Sequence, residues 1–203
     1  MLPAFPTRRL GVLFVVSGPS GSGKTTLCRQ LTVAGETMYS VSATTRPPRP
    51  GEVHGRDYFF FSELEFEQKL ARGEFFEHAR VHGNLYGTLK SFVRQNLEDG
   101  HDVIMDIDVA GAAQIRASTD DLVKRCRADV FILPPSVDSL KERLANRGTE
   151  AGESLELRLK NALTEIAHWP EYDYALVSGS REEDLARFRA ILIAERVRVG
   201  RQL

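Results

Sequence analysis

Short apolar runs alternate with longer amphipathic stretches along most of the chain. The first run, GVLFVV at 11–16, stops at Gly18 and Pro19 and predicts a buried strand. A helix follows over 24–33, with Leu27 and Leu31 on one face, and MYSVS at 38–42 reads as a short second strand. The same alternation returns at about residue 88. TLKSFVRQNLEDG predicts a helix stopped by Gly100, DVIMDID a buried strand, and AAQIR the start of another helix. ADVFILPP is a strand cut off by prolines, and SVDSLKERLANRG a helix capped by Ser136 or Asp138. A helix over 154–166, a strand at DYALVS and a last helix from Arg181, apolar at Leu185, Phe188, Ile191 and Leu192, complete the pattern.

Strands separated by helices of this length imply an α/β fold, a parallel sheet covered by helices on both faces. Residues 43–84 have another texture: a proline-rich turn, the run YFFF, a helix at 63–71, then GEFFEHARVHGNLYG, short strands broken by glycine. This piece predicts an insertion of mixed α+β structure over the carboxyl ends of the strands. No internal repeat or linker divides the 203 residues, so one folding unit is expected.

Composition narrows the class. Hydrophobic residues make up 42% and the formal net charge is −1, which gives no global reason to expect nucleic acid or an anionic membrane as partner. The apolar run at 12–16 is too short for a signal peptide or a membrane span. Two cysteines are too few for a disulfide framework, so a reducing, cytoplasmic setting is expected. The five histidines show no metal-ligand spacing, and Cys28 reads as helix packing.

The chemistry begins at GPSGSGKT, residues 18–25, placed between a strand and a helix. Gly18, Gly21 and Gly23 let backbone N–H groups converge on an oxyanion at the positive end of the helix. Lys24 is placed for the β- and γ-phosphates and Thr25 for Mg²⁺, with Pro19, Ser20, Ser22 and Thr26 completing the cradle. Asp106 ends the DVIMD strand, where a carboxylate orders Mg²⁺ waters or meets a substrate. Asp108 faces the same side, and it reads equally as a cap for the next helix. DVAG at 108–111 imitates a GTP-hydrolase switch, but no Asn-Lys-x-Asp base-reading motif follows.

A second anion site is written in SATTRPPRPG, residues 42–51. Arg46 and Arg49 carry planar forks suited to phosphate oxygens, and Pro47 and Pro48 limit how far they wander. Tyr58 and Tyr86 add hydroxyl donors. Two phosphate-holding surfaces facing each other are expected.

With these motifs in order over about 12–197, the chain resembles the guanylate kinases. SGPSGSGKTT, SVSATTRPPRPGEVHGRDYFF, GEFFEHARVHGNLYGT, VIMDID and LKERLANRGTE carry the likeness. The resemblance implies a P-loop nucleoside-monophosphate kinase fold with core segments at about 10–41, 88–134 and 155–203, a GMP-binding insertion at 42–87 and a lid at 135–154. It implies ATP and GMP as substrates with Mg²⁺, and it leaves homo-oligomerisation open. Ser42, Glu77, Thr88 and Asp106 are implied as the guanine-reading set, and Arg46, Arg49, Tyr58 and Tyr86 as the acceptor-phosphate set. A carboxylate at Glu77 accepts from N1–H and the 2-amino group of guanine, a discrimination worth ~1–3 kcal/mol. In the lid, Arg143 and Arg147 lie one turn apart on one helical face and, with Arg158, are implied to neutralise the transferring phosphoryl.

One segment departs from the family. Where an Asn-Asp pair usually follows the last strand, this chain has Ser178, Gly179 and Ser180, which bears on donor preference. Two rival readings are a kinase of another small phosphorylated acceptor and a non-catalytic binding module on the same fold. The intact cradle speaks against the second.

Overall fold

The computed structural model describes residues 7–81, 83–146 and 155–203. The chain opens with β1 (Leu13–Ser17), α1 (Lys24–Val33), β2 (Met38–Tyr39), β3 (Ala43–Thr44) and β4 (Phe59–Phe60). Next come α2 (Glu63–Ala71), β5 (Phe75–Val81), β6 (Asn84–Leu89), α3 (Lys90–Glu98), β7 (Val103–Asp106) and α4 (Val109–Arg116). The last part holds α5 (Asp121–Cys126), β8 (Arg127–Leu133), α6 (Val137–Asn146), α7 (Leu155–Ile166), β9 (Tyr174–Val177) and α8 (Arg181–Arg196).

Five strands form a parallel sheet in the order β2-β7-β1-β8-β9. Alternation along β1 decides what each face buries. Phe14 and Val16 meet Leu27, Leu31, Phe188 and Leu192 from α1 and α8. Leu13 and Val15 meet Val93, Leu97, Ile115 and Cys126 from the helices on the other face. Every residue of β1 is fully buried, as a central strand covered on both sides requires. Such a sheet delivers its ligand contacts at the carboxyl ends of its strands, and the Val16–Asp106 register puts Asp106 beside the turn that leaves β1.

The insertion forms a separate four-stranded sheet, β4-β3-β6-β5, parallel between β3 and β4 and antiparallel elsewhere. Its own small core gathers Ala43, Phe66, Phe75, Leu85 and Leu89, with the Phe66 and Phe75 rings stacked 4.3 Å apart. A register shift between Phe75 and Glu77 sets Glu77 opposite Thr88. Gln114 of α4 bonds both the N–H and the carbonyl of His78, tying this sheet to the core.

The pattern reading and the structure differ in a few places. Thr88 and Leu89 continue β6, so α3 starts at Lys90 rather than at 88. Helix α5 gave no periodic signal; Asp120 caps it by accepting from the N–H groups of Leu122 and Val123. Ser136, not Asp138, caps α6, taking the Ser139 N–H at 3.1 Å. Among the described residues no helix is long and apolar enough to cross a membrane.

Candidate active site

The turn between β1 and α1 is shaped by residues that lack a Cβ. Gly23, at φ +96°, supplies the left-handed step into the helix. A Cβ on Gly18 would stand 2.4 Å from the Ile132 carbonyl oxygen, so the loop packs against the end of β8 where only glycine fits. The Ser22 N–H closes a tight turn on the Pro19 carbonyl at 3.1 Å. Pro19 and residues 21–26, including Lys24, Thr25 and Thr26, line a small concavity at the amino end of α1, an arrangement suited to phosphate. Buried beneath it is Cys28, whose thiol is pushed up by burial and then by the Asp106 charge.

Asp106 meets this cradle directly. Thr25 Oγ1 donates to its Oδ2 at 2.6 Å and the Tyr39 hydroxyl donates to the same oxygen at 3.2 Å. Burial, followed by the Asp106 charge, holds the Tyr39 phenol well above its usual range and so keeps it a donor. A hydroxyl and a carboxylate side by side are hard oxygen ligands that fit Mg²⁺. No cluster of three or more His, Cys, Asp or Glu converges among the described residues, so such a cation would take its remaining ligands from phosphate and water. Asp108 serves as the cap of α4, accepting from Gly111 N–H at 2.7 Å.

In the insertion, Arg46, Tyr58 and Tyr86 come together. The Arg46 guanidinium lies 5.4 Å from the centre of the Tyr58 ring, and the Tyr58 and Tyr86 rings meet edge to face at 6.1 Å. Arg46 Nη2 donates to both oxygens of Glu52 at 2.8 and 2.9 Å. The Arg49 N–H donates to the same carboxylate at 2.6 Å, while the Arg49 residue itself is exposed. The Arg49 N–H first, and the Arg46 charge with it, hold Glu52 below the usual carboxylate range. Glu52 was not singled out from sequence; nothing in its spacing marks it as the partner of Arg46.

Behind this patch, Glu77 is 8% exposed and its Oε1 accepts from the Thr88 hydroxyl at 2.7 Å. Burial pushes the Glu77 carboxyl up, against the bond from Thr88, and the Asp108 charge adds to the rise. Ser42 is half-buried at the edge of the same sheet, where its carbonyl accepts from Phe59 N–H at 2.9 Å.

Helix α6 leans on the cradle. Arg143 Nη1 donates to the Gly21 carbonyl at 3.3 Å, and Leu140 and Leu144 pack around Gly21. Arg158 Nη1 donates to the Leu144 carbonyl at 3.0 Å, bracing α7 against α6. Arg147 lies outside the described residues. Glu165 of α7 has no signal in the sequence: burial pushes its carboxyl up, against the opposing pull of the Lys24 charge and the Ser20 backbone N–H.

Beside the cradle, a cleft of about 440 Å³ runs between α1, α6 and the start of α8, lined in part by Gly23, Thr26, Gln30, Arg143, Ser178 and Asp184. Ser178 Oγ donates to Asp184 Oδ2 at 3.0 Å, and Gly179 N–H to Oδ1 at 2.8 Å. Ser180 caps α8 in a capping box with Glu183. The Ser178–Ser180 segment is thus fixed by the first turn of α8.

The family model described as guanylate kinase matches residues 11–195. A guanylate kinase of Novosphingobium aromaticivorans is 46% identical over 198 residues, covering 96% of this chain and 86% of its own. One from Clostridium perfringens is also 46% identical, over 192 residues, with 94% and 87% covered. The crystal structure of guanylate kinase from Anaplasma phagocytophilum superposes with a TM-score of 0.73 at 33% identity, covering 97% of this chain and 92% of that one.

Proposed function

The chain belongs to the guanylate kinase family, and from that premise we propose that it moves the γ-phosphoryl of ATP onto GMP, yielding ADP and GDP. The observation that carries the acceptor half is the buried Glu77 carboxylate, with one oxygen engaged by Thr88. A carboxylate removed from water needs donors, and the N1–H and 2-amino edge of guanine brings two; adenine has no such pair. Ser42 and Thr88 add hydroxyls to the base site. Arg46, Arg49, Tyr58 and Tyr86 would hold the acceptor phosphate, with Arg46 sharing its fork between that phosphate and Glu52.

On the donor side, the amides of 18–26 and Lys24 would hold the β- and γ-phosphates. Thr25 and, through water, Asp106 would hold Mg²⁺, which when bound screens the charge of the phosphate chain. An oxygen of the acceptor phosphate then attacks the γ-phosphorus in line with the departing ADP oxygen. That oxygen is already anionic, so no side-chain nucleophile or general base is needed, and positioning supplies the catalysis. Arg143, Arg147 and Arg158 would neutralise charge on the moving group. In this reading 42–87 carries the acceptor, 135–154 covers the reacting phosphates, and the rest is the donor-binding core.

The test is coupled ATP turnover with GMP, AMP, UMP and CMP. GMP is expected to exceed the others by orders of magnitude in kcat/KM. Equal rates across the panel would overturn the guanine assignment, and no turnover with any of them would overturn the phosphotransferase reading.

A further inference from the structure

The cleft beside the cradle is lined by α1, α6 and the start of α8, and among the described residues none of 42–89 lines it. A triphosphate seated at 18–26 with its γ end toward the insertion must send its nucleoside the other way, into this cleft. On α1, Thr26 and Gln30 share a face of the helix, and Gln30 stands about 9 Å along the axis from Lys24. That is the reach of a nucleotide from its phosphates to its base.

The polar groups of the cleft are unevenly matched. The Gln30 Oε1 atom is buried and has no hydrogen-bond partner among the described residues. Buried polar atoms are paired in the great majority of cases, so an unpaired one asks for a ligand or a water. Across the cleft, the Ser178 hydroxyl and the Gly179 N–H both donate to Asp184. Those two donors are spent inside the wall, and what Ser178 and Asp184 keep for a ligand are acceptor lone pairs.

We propose that Gln30 is the specificity-determining residue for the donor base, turning its carboxamide into the cleft to pair with a 6-aminopurine. This rests on the phosphotransferase reading above. A carboxamide fits the adenine edge twice over, with Oε1 accepting from the 6-amino group and Nε2 donating to N7. A 6-oxopurine presents two acceptors on that edge, so one end of the amide is left unmatched whichever way it turns. Asp184 is a positioning residue here: by holding Ser178 and Gly179 it sets the opposite wall.

The experiment is calorimetric titration of the full chain with Mg-ADP and Mg-IDP, without acceptor. The parental protein is expected to bind ADP about five- to tenfold more tightly than IDP, the worth of one neutral hydrogen bond. Gln30→Ala is expected to weaken ADP by that factor and leave IDP within about twofold, erasing the preference. Gln30→Glu keeps the acceptor for the amino group and should keep ADP ahead. An unchanged ADP-to-IDP ratio in Gln30→Ala overturns the proposal. Should that variant fail to fold, equal binding of ADP and IDP by the parental protein overturns it on its own. Because no acceptor is present, the outcome is separate from the turnover panel. An enzyme that phosphorylates GMP yet binds both diphosphates alike would sink the role of Gln30 alone.

Discussion

The two regions proposed to hold phosphate are built from different material. The cradle at 18–26 is backbone, set between a fully buried strand and a helix start, and its shape depends on glycine conformations and on contact with Ile132. The patch around Arg46 is side chain: a guanidinium shared between a carboxylate and aromatic faces, on a four-stranded sheet with its own small core. Backbone amides fixed by a fold hold one shape whatever is bound. Side chains holding one another exchange partners. On the proposed reading the donor end is preorganised, and the acceptor end would adjust as Arg46 divides its fork between a phosphate and Glu52.

Removing Lys24, the side chain proposed to grip the donor phosphates at the rigid end, should have the largest effect. Lys24→Ala is expected to lower kcat by about a thousandfold while the melting temperature stays near the parental value. Turnover near the parental rate would place the donor phosphates elsewhere. At the adjustable end, Glu77→Gln trades an acceptor for a donor against guanine and should raise KM for GMP by about 10- to 100-fold, with KM for ATP unchanged. Equal effects on both substrates would mean that Glu77 acts on the fold and not on the base.

Glu77 also gives the comparison a pH signature with two opposite signs. Its folded pKa is raised, so its ionised form opposes folding, and that penalty is relieved as pH falls through the folded value toward the ordinary carboxylate range. The empty protein should gain stability across that window, whereas GMP, proposed to pair with the carboxylate, should bind less well. Melting temperature and KM for GMP followed against pH check both, and Glu77→Gln should flatten each curve. The smallest effect is expected from Glu52→Gln. Losing a partly exposed ion pair should change KM for GMP by roughly threefold either way and leave KM for ATP alone. A change in the ATP constant would show that the two regions are not separable.

Much of the fold was legible because it is local. Helices α1 and α2 have the bounds that their sequence pattern predicts, and the alternation of strand and helix was enough for the parallel sheet. What escaped was non-local. The pairing of β3 with both β4 and β6 depends on partners that no short window contains. Thr88 sits where a strand runs directly into a helix, so its pattern satisfies either state. The same holds at the site. The cradle is contiguous in the chain and readable. Glu52, Glu165, Gln30 and Asp184 are ordinary surface-type residues by spacing, and only folding brings them to Arg46, to the neighbourhood of Ser20 and Lys24, and to the cleft beside the cradle.

Both cysteines are buried, and burial raises both thiols, Cys126 to about 11. Thiolate is the reactive form, so neither should be modified readily at neutral pH. The protein is thus a quiet background for labelling chemistry. A cysteine introduced at an exposed position of β5 and another at an exposed position of α8 would take probes cleanly, and the spacing between the rigid and the adjustable halves could be followed in solution as each nucleotide arrives.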